Sequence, residues 1–479
     1  MNRYRRSAPR SLRCQRGVTA LLMLTLLCGV FLWQIQSLLA QVNPIERREE
    51  VTRRALADAR SALLAWSVQN GGLSGSGSTN LARPGAFPCP DSKDPASDRA
   101  GYQGDAAGTC TKAALRLGRI AHRTMLHAPF LDGSGERLWM AVVEGFEESN
   151  SSILNPDFVP KSAWFQAWNA PAHSALTAQT DPAVVVIFAP GVALPNQKRG
   201  TAADKVNASN YLESASTTDG SFSNLDMSKG AFVGGDIRDA RQKLILNDRV
   251  AVIRRSELMQ AVSLRALRDY QRLLEWWRLY KGAGKLPHPA RFDDPACVDI
   301  ATKTNANDCV PDLAVCRGRL PKSIWLINEV SKQVGANATE RFKWLYRNRW
   351  EQQFYYSVNA DAIAPPATGC SVSSTIVTTS GPVRADAIMV SPGWPLSGQA
   401  RSTSTDKSSL ANYLEAVPGF VDPRTGALNS VINQQGWQTQ TGETEMLAVP
   451  ALSSNDRIYR WLKPGSDNGF TAPQWFLAR

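Results

Sequence analysis

The side-chain group best suited to acid–base work in this 479-residue chain occurs twice, as Asn210-Tyr211-Leu212-Glu213 and Asn412-Tyr413-Leu414-Glu415. A glutamate close to an amide can move a proton or hold a polar substrate group. Both copies lie beside Ser/Thr-rich loop, and the repetition favours a structural cap. In that reading tyrosine packs its ring while Asn and Glu satisfy backbone groups. Other catalytic templates fail. The four histidines, His122, His127, His173 and His288, are scattered, and none sits in a His-Glu-x-x-His helix or opposite a recognisable nucleophile. The stretch "DGSGERLW" is glycine-rich but no Gly-Lys-Ser/Thr follows it, so it reads as a turn leading into a strand. Asp91, Asp94, Asp98 and Asp105 could offer carboxylates to calcium, yet they lack the compact spacing of an EF-hand loop. A solvated loop is expected there, with no cofactor and no enzymatic activity.

Cysteine chemistry is the second possibility. Cys14 and Cys28 lie near the N-terminus, leaving an even six: Cys89, Cys110, Cys297, Cys309, Cys316 and Cys370. No two stand in Cys-x-x-Cys spacing and no histidine completes a zinc pattern, so disulfides in an oxidising compartment are expected. Cys89 with Cys110 would close the acidic loop. The equivalent bridge would join Cys297 to Cys309 or Cys316, with Cys370 taking the one left over.

The elements that would position these residues repeat along the chain. Ala189–Glu213 aligns without a gap to Ser391–Glu415, with 12 of 25 positions identical. The identities include Pro190/Pro392, Gly191/Gly393, Gln197/Gln399, Asp204/Asp406 and all of Asn-Tyr-Leu-Glu. A β-type run precedes each copy ("AVVVIFA", "DAIMVS"). After each, Asn247-Asp248-Arg249-Val250 and Asn455-Asp456-Arg457-Ile458 open another. Upstream, Leu56, Leu63, Leu64 and Trp66 have helical spacing, and Arg54, Ala55, Leu56, Asp58, Leu63 and Trp66 recur as Arg265, Ala266, Leu267, Asp269, Leu274 and Trp277. The pattern implies a tandem duplication. Each unit reads as a long helix, a cysteine-bearing loop and a sheet, which suggests an α+β fold with antiparallel pairing. The units span 41–258 and 259–479, with the boundary near Arg255 to Gln260.

A net charge of +12 suggests nucleic acid at first sight. Six arginines crowd the first 17 residues, however, and without them 48 basic side chains face 42 acidic ones. No basic stripe is interleaved with aromatics, so no nucleic-acid partner is expected. From Val18 to Ala40 the chain is almost wholly apolar and long enough to cross a bilayer. The arginine-rich side should stay cytoplasmic and the remainder should be exported. Signal-peptidase cleavage after Ala40 is disfavoured by Leu38, and lipidation at Cys28 by Leu27.

A short basic leader (1–17) ending in Gly17, then an apolar helix (18–40) continuing into an amphipathic one, resembles a type IV prepilin. The resemblance implies that a prepilin peptidase cuts between Gly17 and Val18 and that the new amino terminus is methylated. The apolar helix would anchor the subunit in the inner membrane, with a periplasmic C-terminal part, and then pack in a filament with other pilin or pseudopilin subunits, where it can become extracellular. The downstream "RPGAFPCPD…C…GERLWMAV" and "APG…NYLE…NDR" are also similar to exported pilin-like proteins of proteobacteria. Two positions depart from the major-pilin pattern: Val18 stands where phenylalanine is usual, and Leu22 where a glutamate neutralises the amino terminus of the subunit ahead. In this the leader is similar to K-type pseudopilins of type II secretion and X-type minor pilins. A subunit with nothing ahead of it can dispense with that acid, so the resemblance implies a minor pilin or pseudopilin at or near a filament tip. The alternative expectation is an uncleaved single-pass inner-membrane protein whose periplasmic domain binds a ligand or partner.

Overall fold

The computed structural model describes residues 23–31, 44–70, 83–91, 104–150, 152–170, 172, 174–217, 220–298, 308–378, 381–414, 420–421, 428–429, 441–447, 457–462 and 474–477. Gly17, Val18, Leu22, Glu415, Asp94, Asp98 and His173 lie outside these residues. Of the expected 18–40 span, residues 23–31 are described. They are helical, with Leu24, Leu26, Leu27 and Phe31 exposed. Among the described residues no helix is long and apolar enough to cross a membrane.

The fold mixes helices with several small sheets, the α+β class. Helix α1 (Pro44–Asn70) places Leu56, Ala59, Leu63 and Trp66 on one buried stripe and leaves Glu50, Arg53 and Arg54 as an exposed ion-pair cluster. The stripe lies on a four-stranded antiparallel sheet in the order β1 (Leu117–Arg119), β2 (Trp139–Val142), β3 (Ala183–Ala189), β4 (Arg249–Arg254). Every residue of β3, "AVVVIFA", is buried. A half-exposed strand would alternate, but this one is covered twice. In addition to α1 above it, a small sheet brings Phe232 to Phe188, with ring centroids 5.4 Å apart and edge to face.

A second sheet repeats the connectivity: β5 (Arg317–Arg319), β6 (Tyr355–Val358), β7 (Ala387–Ser391), β8 (Arg457–Leu462), with β9 (Gln474–Leu477) added at the edge. The registers match as well. Arg119 sits opposite Trp139 in the first sheet, and Arg319 opposite Tyr355 in the second.

Helix α2 (Arg255–Tyr280) begins where β4 ends and joins the two sheets into one core. Its buried positions, from Leu258 through Leu267 and Tyr270 to Trp277, form a stripe broad enough to touch α1, β4 and helix α3 (Ser323–Val334). Leu56, Val185, Leu267, Leu326 and Tyr356 belong to the same packed cluster. Arg60 on α1 reaches across to Glu257 on α2 at 2.6 Å. Helix α3 has no counterpart in the first half, where residues 120–138 form turns and a short hairpin bridged at Leu131 and Arg137.

Three disulfides are present, Cys89–Cys110, Cys297–Cys309 and Cys316–Cys370. Of the two partners open to Cys297, the fold selects Cys309. Cys316 just precedes β5, and Cys370 just precedes the strand Ser371–Thr378. Of the three, that bridge closes the longest covalent loop, its ends being 54 positions apart. Loop-closure entropy makes such a link worth about 4 kcal/mol. Replacing Cys316 and Cys370 together by serine should lower urea-unfolding stability by about 2–4 kcal/mol while retaining native circular dichroism. Replacing Cys297 and Cys309, only 12 apart, should cost less.

Candidate functional site

The repeated Asn-Tyr-Leu-Glu stretch is the end of a larger side-chain cluster that the fold assembles in both halves. In the first, the chain leaves β3 through Pro190 and Gly191, whose φ of +64° suits glycine. It then runs to a short helix, Ala202–Val206, capped reciprocally by Thr201 and Asp204. Arg199 fastens this excursion. Its Nε donates to the Asn210 carbonyl (2.7 Å), Nη1 to the Gly191 carbonyl (2.8 Å) and Nη2 to Gln197 Oε1 (2.7 Å). The same guanidinium lies 4.5 Å from the centre of the Tyr211 ring. Arg119, from β1, lies over that ring at 5.1 Å and over Trp139 at 5.6 Å, and donates to the Lys205 carbonyl (2.5 Å).

The second half builds the same object from equivalent residues. Arg401 donates to the carbonyls of Asn412 and Gly393 (2.8 Å for the latter) and to Gln399 Oε1 (3.0 Å). It lies 4.3 Å from the Tyr413 ring centre. Arg319, from β5, covers Tyr413 at 5.2 Å and Tyr355 at 5.4 Å and donates to the Lys407 carbonyl. Thr403 and Asp406 form the equivalent capping box. Asn210 Nδ2 donates to the Asp204 carbonyl at 3.0 Å, and Asn412 Nδ2 to the Asp406 carbonyl at 2.8 Å. The asparagines therefore close a turn, and the tyrosines are ring platforms for two cations each.

Glu213 completes the first cluster. Gln197 Nε2 donates to its Oε1 (2.6 Å) and the Asn247 amide to its Oε2 (3.2 Å). Its own amide donates to Asp248 Oδ2 (3.2 Å), which also accepts from Asn224 Nδ2 (2.7 Å). Burial holds the Glu213 carboxyl above the usual range. Burial, then the neighbouring charge of Glu213, pushes the fully buried Asp248 well above it. A carboxyl that keeps its proton at neutral pH is a common acid–base device. Here it is sealed: Asp248 has no exposed surface and both Glu213 oxygens are engaged. The arrangement ties the start of β4 to the tyrosine loop. The corresponding Glu415 and Asp456 lie outside the described residues.

The second cluster differs in one respect, because the first half reaches over to cover it. Asp157 puts its carboxylate 3.5 Å from Arg401 and 3.6 Å from Lys407, and accepts from Gln353 Nε2 at 2.7 Å. Asn155 and the Leu154 amide bond to Asn348 close by. In the first cluster Arg199 instead pairs with Glu136 at 3.4 Å, and Lys205 is exposed. Spacing alone did not single out Arg119, Arg319 or Asp157, whereas Asp248 stands in the repeated Asn-Asp-Arg run. Arg199 and Arg401 were among the 12 identities and were the available signal.

The remaining chemical candidates are dispersed. His122 lies against Arg137 (3.3 Å), which pairs with Asp91 (2.8 Å). His127 stacks on Phe130, and His288 is buried between two carbonyls. Asp132 of "DGSGERLW" accepts from the amides of Ser134, Glu136 and Gly191, which makes it a turn anchor. Asp91 accepts from the Gly104 amide and Arg137. Among the described residues no group of three or more His, Cys, Asp or Glu could hold a metal ion.

Two measurements test this description. Asp157→Ala removes the counter-charge of two buried cations, so unfolding stability should fall by about 3–5 kcal/mol in urea titrations. Glu351, buried beside the second cluster, has its carboxyl raised to about 7 by burial. An unfolded glutamate releases its proton near pH 4.5. Between those values the folded chain binds more protons than the unfolded one, so stability falls as pH rises through that window, by roughly 3 kcal/mol in all. Glu351→Gln should match the wild type at pH 4 and exceed it at pH 8.

No protein-family model, no curated protein and no solved structure matches the chain.

Proposed function

We propose that the protein is a minor pilin or pseudopilin, a non-enzymatic subunit at or near the tip of a type IV pilus-like or type II secretion filament. The observation that carries this reading is the junction at Gly17. An arginine-rich leader ends there, a 23-residue, largely apolar stretch follows, and the chain then enters the amphipathic helix α1. Prepilin peptidase would cut after Gly17 and the new terminus at Val18 would be methylated. The apolar segment would hold the subunit in the inner membrane before assembly.

The rest of the chain supports this reading in two ways. Helix α1, which would continue the apolar segment, packs its buried stripe on an antiparallel sheet, as expected of an apolar helix that runs into an amphipathic one. The second sheet, joined to the first through the shared helix α2, doubles that head. A bulky double head would disrupt a repeating lattice but is tolerated at an end. Leu22, in place of a carboxylate, leaves the subunit without a partner for the amino terminus of one ahead of it.

Intact-mass measurement of the mature protein tests the proposal directly. The expected species starts at methylated Val18, and Gly17→Ala should abolish that processing and prevent recovery in sheared filament fractions. A mature chain that keeps Met1, or one starting at Gln41, would overturn the reading in favour of an uncleaved or signal-peptidase-processed protein.

A further inference from the structure

We propose that Lys407 and Asp157 condense into an intramolecular amide, a covalent cross-link between the second half of the chain and the first. Lys407 ends the short helix Ser404–Lys407, and its side chain is 5% exposed. Asp157 arrives from the loop of the first half that covers the second cluster, and its side chain is 6% exposed. Nζ lies 3.6 Å from Oδ2. Neighbours hold both groups in place: Gln352 Oε1 accepts from Lys407 Nζ at 2.7 Å, and Gln353 Nε2 donates to Asp157 Oδ2 at 2.7 Å. The two glutamines come from one turn, Trp350–Gln353. Reactants held in contact need no bimolecular encounter, which is equivalent to a very high local concentration.

As an ion pair this contact is poorly made. Charge-assisted hydrogen bonds run about 2.7–2.9 Å, whereas Asp157 stands 3.6 Å from Lys407 and 3.5 Å from Arg401. Its Oδ1 has no hydrogen-bond partner among the described residues. Desolvated charges in loose geometry recover little of the cost of leaving water, and an amide carries no charge at all. Lys407 is also primed as a nucleophile. Burial, with Arg349 and Arg319 close by, holds its ammonium below the usual lysine value against the pull of Asp157. A lysine that gives up its proton in this way is the nucleophilic form.

The two carboxylate oxygens have different surroundings, and these assign the step. One ammonium proton passes from Nζ to Oδ2, leaving a neutral amine and a neutral acid. Nζ then attacks Cγ, and the developing negative charge gathers on Oδ1, 3.5 Å from the Arg401 guanidinium. A second proton from Nζ goes to Oδ2, the Cγ–Oδ2 bond breaks, and Oδ2 leaves as water. The Nζ–Cγ bond remains, with Oδ1 as the amide carbonyl. No oxidant, reductant or co-reactant enters. The first half supplies an internal contrast: its equivalent lysine, Lys205, is exposed, and the carboxylate there, Glu136, pairs with Arg199. The cross-link encloses a far longer loop than the 54 positions closed by Cys316–Cys370.

Mass spectrometry of the purified full-length chain, denatured and with its disulfides reduced, tests the inference. The expected mass is one water below that of the sequence counted from its observed N-terminus. Tryptic digestion should yield a branched peptide that joins the segments around Asp157 and Lys407 and is uncut after Lys407. Asp157→Ala and Lys407→Arg should each restore the missing water and abolish the branched peptide. Lys407→Arg keeps a buried cation, so native circular dichroism of this variant separates a lost bond from a lost fold. An unmodified mass, complete cleavage after Lys407, or a lost water without the branched peptide would each overturn the inference. A lost water that persists in Lys407→Arg would do the same. The inference does not rest on the filament reading, and neither result bears on processing at Gly17.

Discussion

A guanidinium leaves water at a tolerable cost only when its N–H groups meet acceptors and its planar face meets something polarisable. This chain satisfies both requirements at the same place in each half. Arg199 and Arg401 bond the carbonyls that would otherwise be orphaned where the chain leaves the central strand, and each lies on a tyrosine ring. Arg119 and Arg319 come from the first strand of each sheet to the same tyrosine. A long excursion that begins and ends at a sheet is thereby fastened to it. The course of residues 190–213 after β3, and of 392–414 after β7, depends on that fastening.

The second constraint is the sharing of α2. A helix buried on one face needs a stripe of apolar residues. One buried against a preceding sheet and a following helix needs a broad one, and α2 has it. The two sheets consequently belong to one packed interior rather than to two separately closed ones. Asp157 belongs to the same economy of burial, since Arg401 and Lys407 sit under a loop of the first half and require a counter-charge from it. The first cluster, with Glu136 beside it, can leave Lys205 in solvent.

Seen this way, Glu213 is structural. Sealed carboxyls such as Glu213 and Asp248 hold strands together through hydrogen bonds to backbone and amide groups, and nothing in solution can reach Asp248. In the second half the segment 309–316 is held between two disulfides, and His288 bridges the Val315 and Pro365 carbonyls. The arginine–tyrosine cluster is built twice, once beside each sheet.

Much of this was legible in the residues themselves, because the relevant signals are local. Helical spacing marked the buried faces of α1 and α2, and unbroken β-branched runs marked β3. The gapless identity of 12 positions in 25 marked the repeated loop. An even number of cysteines pointed to disulfides but left open whether Cys297 takes Cys309 or Cys316, since pairing depends on which backbones the fold brings within a few ångströms. The tertiary structure alone decided the contacts between distant residues. Asp157 meets Arg401, Glu213 meets Asp248, and Arg119 finds a tyrosine 92 positions further on. Such partners follow no periodicity. They are selected by the cost of leaving a buried charge or polar group unmatched, and that cost exists only once the chain has packed.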